Sequence, residues 1–231
     1  VVITSEICGI ILTRIATSAP QRAHELTGAS LFSVAGNATY QNAYTLFILP
    51  YSLIAVSVST AMFPKISRSI AAANLDEARH DLVSALNNVG LLIMFFAAAM
   101  VVFPEPIIRA LLPSVSMDET MLISYALIAL SMGIPLGSAF LLIQRTFYAF
   151  EDGLHPFLSA VMQYGFTSIF MIIGMMVLPP EHWVLGIACS VTLGGLQALP
   201  LTLMMLRRKF EGNLGGREIT RTYAKAIVAA L

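Results

Sequence analysis

Five stretches of this chain run for about 20 residues with hardly a charged side chain, a pattern that suits a bilayer rather than a water-soluble domain. They cover residues 43–64, 86–103, 121–147, 157–178 and 183–206. A hydrocarbon core of about 30 Å needs about 20 residues at a rise of 1.5 Å each, so each stretch is read as a complete transmembrane helix. Shorter apolar runs over residues 1–13 and from about residue 223 onward are read as a partial span at each end. Composition agrees: 57% of the residues are hydrophobic and 11% charged, where a globular domain carries about a quarter charged residues. The expected fold is an all-α polytopic membrane protein.

Val1 opens inside an apolar run with no initiator Met and no signal-peptide pattern, and the last run stops partway through. Residues 1–231 are therefore expected to form a single transmembrane domain fragment, truncated at both ends. Between the first two complete spans Ile66, Ile70, Ala78, Leu82 and Ala85 recur at helical spacing. Arg68, Asp76, Glu77, Arg79 and Asp81 take the other positions, which predicts an interfacial amphipathic helix over 66–85 with its acids on a solvated face. Asn74 followed by Asp76 and Glu77 reads as a helix restart, and Ser116 with Glu119 as a capping box. Lys65, Arg68 and Arg79, then Arg145, then Arg207, Arg208, Lys209 and Arg217 fall in alternate loops, which places those loops on the cytoplasmic side. Trp183, Tyr125, Tyr148 and Tyr164 are read as interfacial anchors.

The formal net charge is zero and the cations are scattered among loops, so no nucleic-acid-binding face is expected. No GxxxxGK[ST], HExxH or GxSxG pattern occurs, and the expectation is a non-enzyme with no cofactor and no metal. His24, His80, His155 and His182 are far apart and read as solvated or headgroup-level residues. Cys8 and Cys189 read as small core residues. Polar side chains inside spans are the better pointers, because hydrocarbon makes them costly unless they face a cavity or another helix. Glu6, Arg14, Gln41, Asn42, Thr45 and Ser52 are the candidate substrate cavity, with hydrogen bonding between helices as the open alternative. Gln41, Thr45 and Ser52 are spaced to share one helix face. Pro50 and Pro135 each remove a helical hydrogen bond, and Gly133 and Gly137 permit close helix approach, so these four are candidate hinges or packing details.

Residues 44–68, with the core LPYSLIAVSVSTAMFPKISR that holds Thr60, Pro64, Ser67 and Arg68, resemble the signature of the MurJ/MviN family of lipid II flippases. A second element, Arg145, Phe147, Tyr148 and Ala149 followed by Asp152 and Pro156, is similar to a later motif of that family. The resemblance covers essentially the whole chain. It implies the second lobe of a flippase core in the multidrug/oligosaccharidyl-lipid/polysaccharide exporter superfamily, a multi-pass protein of the bacterial cytoplasmic membrane. It also implies the cargo and the cycle. Lipid II, the undecaprenyl-pyrophosphate-linked disaccharide-pentapeptide peptidoglycan precursor, would cross the membrane by alternating access for cell-wall synthesis. Membrane lipids are implied as further partners, and the cell-wall synthesis machinery as a candidate one. One departure stands out: where other members carry a cavity Arg on the helix before Pro50, this sequence has Thr45. The alternatives are a flippase or exporter of another polysaccharide-lipid or drug in the same superfamily, and a non-transporting membrane scaffold for cell-wall enzymes.

Overall fold

The computed structural model describes residues 2–212, and all of its regular elements are helical. α1 spans Val2–Thr27, α2 Asn37–Pro50, α3 Ser57–Ala71, α4 Leu75–Val102, α5 Pro104–Leu111, α6 Met117–Ser131, α7 Ile134–Ala149, α8 Leu154–Val177 and α9 Trp183–Lys209. A π-helical turn, Tyr51–Val56, joins α2 to α3 into one rod of 35 residues. Five rods are long and apolar enough to cross a membrane, and α6 with α7, bent by 43° at a short break, make a sixth when counted together. The span expected over 121–147 is thus a broken one. The partial span expected from about residue 223, and Arg217, lie outside the described residues.

The first helix is longer than its hydropathy suggests. Instead of ending near Thr13, α1 continues through Arg14 and Pro20 to Thr27. Its packed side is a narrow stripe of Cys8, Ile15, Ala16, Ala19 and Ala23, spaced for one helix face, so Arg14 and Arg22 leave by other faces without interrupting it. Gly36, just before α2, approaches the Pro20 ring so closely that a Cβ there would lie 3.2 Å from Cγ of the proline.

The amphipathic helix expected over 66–85 is two helix ends and a turn. α3 stops at Ala71, and Asn74 donates its N–H to the Ser69 carbonyl while Ala73 donates to Ile70. This is the Schellman pattern, with Ala73 in the left-handed conformation at φ 57°. Asn74 then caps α4, its side chain accepting the Glu77 N–H at 3.2 Å, as the restart signal implies. Asp81 is not on a solvated face. It is 3% exposed and pairs across the turn with Lys65, Nζ to Oδ1 2.6 Å, while its Oδ2 is buried with no partner among the described residues. The capping box is present: Ser116 and Glu119 accept each other's backbone N–H.

Lipid offers no hydrophobic drive between helices, so packing depends on fit and close approach. α4 is the central strut, burying Leu82, Leu86, Val89 and Ile93 against α6 and α7 in one core with Leu127, Leu130, Ile143 and Phe147. α8 and α9 touch backbone to backbone: a Cβ on Gly194 would fall 2.1 Å from Oγ1 of Thr167 and 2.9 Å from its N. Leu53, Phe95, Met176 and Val177 cover the outside, as lipid contact requires. Cys8 is buried as expected, but Cys189 is exposed on α9, and both are free thiols.

Candidate functional site

Gln41, Thr45 and Ser52 all lie exposed along the rod formed by α2 and the π-turn. The Thr45 hydroxyl donates to the Gln41 carbonyl at 2.8 Å and that of Ser52 to Leu49 at 3.1 Å, so their protons are used within the helix while the oxygens remain open as acceptors. Asn42 is half-buried. On α1, which packs against α2, Glu6, Thr13, Arg14 and Thr17 are exposed as well. An Arg at the middle of a membrane helix costs at least about 2.5–3.5 kcal/mol in hydrocarbon. The Arg14 side of the bundle is therefore suited to water or to protein rather than to lipid tails.

Two irregularities interrupt the spans beside this face. Pro50 has no N–H to give and is buried; α2 ends there with the Tyr51 N–H on the Ile48 carbonyl three residues back, and the π-turn follows. At the α6/α7 break the Gly133 N–H bonds Leu130 at 2.8 Å in place of Ala129. The Ala129 carbonyl thus released accepts the hydroxyl of Thr192 from α9 at 2.9 Å. Gly133 is indispensable to this approach, since a Cβ there would lie 2.7 Å from Thr192 Oγ1, whereas at Gly137 it would make ordinary contact with Tyr51 at 3.6 Å. Pro135 is buried in the first turn of α7. Thr192 is invisible to sequence reading: one Thr in an apolar span looks like any other.

A cavity of about 450 Å³ lies between α1, α2, α7 and α8, and Gln41 belongs to its lining. Tyr164, expected as an interfacial anchor, is in its wall instead. Its neighbours Tyr40, Tyr44 and Phe47 on α2 and Tyr51 just after it recur at helical spacing, and that period is the signal that points to a shared face.

The motif residues divide into two places. Thr60, Pro64 and Arg68 are exposed along α3, with Ser67 half-buried. Phe147, Asp152 and Pro156 come together at the α7–α8 turn, Tyr148 is exposed, and Arg145 is half-buried with no ion pair among the described residues. Asp152 accepts the backbone N–H groups of Leu154 and His155 at 3.1 Å each. Its Oδ2 meets His155 Nδ1 at 2.6 Å and Lys209 Nζ at 2.7 Å, tying the turn to the end of α9. His155 is thus no solvated residue; its ring also stacks on Phe147 at 5.3 Å. Burial raises the Asp152 carboxyl, but hydrogen bonds from Lys209 and from the His155 backbone and ring outweigh that and hold it down to about 2. Among the described residues no group of three or more His, Cys, Asp and Glu converges as a metal site would.

The model of a protein family described as "Lipid II flippase MurJ" matches residues 10–231. The chain belongs to the MurJ family. It is 27% identical over 162 residues to the "Lipid II flippase MurJ" of Thermosipho africanus (strain TCF52B), a match covering 68% of this chain and 31% of that protein. To the "Probable lipid II flippase MurJ" of Rhizobium meliloti (strain 1021) it is 29% identical over 120 residues, 50% of this chain and 22% of that one. The fold is that of a solved structure described as "Lipid II flippase MurJ, inward closed conformation", with a TM-score of 0.71, 22% identity, and 95% of this chain against 44% of that one. The chain spans less than a third of the length of these curated MurJ relatives and under half of the solved chain.

Proposed function

We propose that this chain is one lobe of a transporter that flips lipid II across the bacterial cytoplasmic membrane, and not an enzyme. The observation that supports the reading, beside family membership, is the set of exposed polar side chains inside spans: Arg14 on α1, Gln41 and Thr45 on α2 and Ser52 on the π-turn. A pyrophosphate cannot enter hydrocarbon unaided, and a hydrated cavity with cations along its wall offsets its desolvation. The rest of a full-length relative would supply the facing wall. Since Thr45 stands where other members carry an Arg, the cationic charge falls to Arg14 and to that second wall.

Alternating access needs places to bend. The π-turn after Pro50 and the Gly133 break, whose freed carbonyl is held from α9, are the bending points in this reading. Membrane lipids surround the apolar exterior, and the cell-wall synthesis machinery is the protein partner that the substrate implies. The test is to deplete the full-length protein in cells and measure which leaflet exposes lipid II. Accumulation on the cytoplasmic side supports the flippase; unchanged distribution with impaired cell-wall assembly points to a scaffold.

A further inference from the structure

The cavity between α1, α2, α7 and α8 has an unusual lining. Tyr40, Tyr44 and Phe47 on α2 and Tyr51 at the start of the π-turn form one wall, with Tyr40 and Tyr44 stacked at 6.0 Å and Tyr44 and Phe47 at 5.5 Å. Gln144 from α7 and Gln163 with Tyr164 from α8 complete it, and Gln41 sits at its exposed edge. No Asp, Glu, Lys, Arg or His is among the lining residues. None of the three glutamine side chains is hydrogen-bonded to another described residue. Gln144 and Gln163 are half-buried and Gln41 is exposed, so all three amides remain available to a ligand beside the aromatic wall. The cavity volume of about 450 Å³ lies within the small-ligand range of roughly 300–1,000 Å³.

We propose that this cavity binds an uncharged sugar ring, the carbohydrate portion of the lipid-linked headgroup, an inference that rests on the flippase reading above. The chemistry selects that ligand. A glutamine amide offers a donor and an acceptor side by side, the pairing that hydroxyl and acetamido groups need. Ring faces carry partial negative charge and attract the C–H edges of a sugar. The lining holds no cation to contact a pyrophosphate or carboxylate inside, which favours the neutral part of the headgroup. The headgroup is thereby divided: the anionic linkage stays on the exposed, Arg14-bearing side, and the neutral sugar enters past Thr13 and Gln41, which line the cavity and are exposed. Gly9 keeps the α1 wall open, for no atom lies within 4 Å of where its Cβ would stand.

The full-length protein in lipid nanodiscs tests this by saturation-transfer NMR with N,N′-diacetylchitobiose as probe, empty nanodiscs serving as the blank. Transfer to the ring and acetyl protons is expected from the wild type. Gly9→Phe, which plugs the cavity without removing a lining group, and Gln163→Leu should each weaken binding about tenfold or more while melting temperatures are retained. Millimolar pyrophosphate, or a charged tripeptide, should not displace the probe. Absence of transfer, full binding by both folded variants, or displacement by either competitor overturns the sugar site; if the variants do not fold, the wild type and its competitors still decide. Wild-type protein that moves lipid II between leaflets without binding the probe refutes the site alone. Probe binding without transport refutes the flippase reading instead.

Discussion

The hydroxyl of Thr192 donates a 2.9 Å hydrogen bond to the carbonyl of Ala129, the acceptor that the Gly133 break removes from the α6 ladder. One helix thus satisfies a backbone group that another has released, the arrangement on which broken membrane helices depend. Thr192→Val keeps the shape and removes the donor, so it should destabilise the full-length protein by about 1–3 kcal/mol, whereas Thr192→Ser should remain near wild type. Thermal unfolding in detergent measures both; equal stability of the two variants contradicts the role.

Gly194 should tolerate no side chain. A methyl there meets the Thr167 backbone N at 2.9 Å, which cannot swing aside as a side-chain tip does. Gly194→Ala is expected to lower folded yield and melting temperature sharply. Gly165→Ala, with nothing within 4 Å of its Cβ, should be neutral or stabilising. Similar behaviour of the two would mean that α8 and α9 are not in backbone contact.

The Asp152 cluster makes a signed prediction about pH. Its carboxyl is held at about 2, below the ordinary 3.8, so its stabilisation is full above about pH 4 and disappears as pH falls through about 2. Discounted for solvent screening at a turn outside the apolar spans, a shift of that size is worth about 1 kcal/mol. Asp152→Asn and Lys209→Gln should each lose most of this near neutral pH, and the stability gap between wild type and Asp152→Asn should close on acidification. A gap that does not change with pH would show that the ion pair contributes nothing.

Ala73 adopts a left-handed conformation that glycine accepts without strain. Ala73→Gly should therefore stabilise the α3–α4 turn by about 0.5–1 kcal/mol, read as a rise in melting temperature. A fall would contradict the turn geometry.

That residue also explains where sequence reading stopped. The spans were legible because long apolar runs have no other use, and the Asn74 and Ser116 caps because their chemistry is local. The break between α3 and α4 was not, since Ala73 fills the place that a Gly would have marked, and apolar spacing continues through the turn. α1 was cut short because hydropathy averages all faces, so Arg14 hid the stripe from Cys8 to Ala23. Asp81 passed for a surface acid because Lys65 is 16 residues away, and the partners of the motif residue Asp152 were hidden because Lys209 lies a full helical hairpin from it. Thr192 and Tyr164 act through neighbours on other helices, and spacing within their own spans does not reveal them. At the candidate cavity, the exposed positions of Gln41, Thr45 and Ser52 follow from helical period, whereas the glutamine and tyrosine lining needed α2, the π-turn, α7 and α8 placed together.

The most direct measurement of the central claim is lipid II flipping by the full-length protein in proteoliposomes with charge of either sign placed at Thr45. If that face lines a hydrated cavity for an anionic headgroup, Thr45→Asp should abolish flipping by like-charge repulsion, while Thr45→Arg should keep or improve it, both variants being folded and equally abundant. Equal loss of folded protein for the two charges, or equal activity, would contradict the account, because Thr45 would then face lipid or a packed interface instead of the path of the substrate.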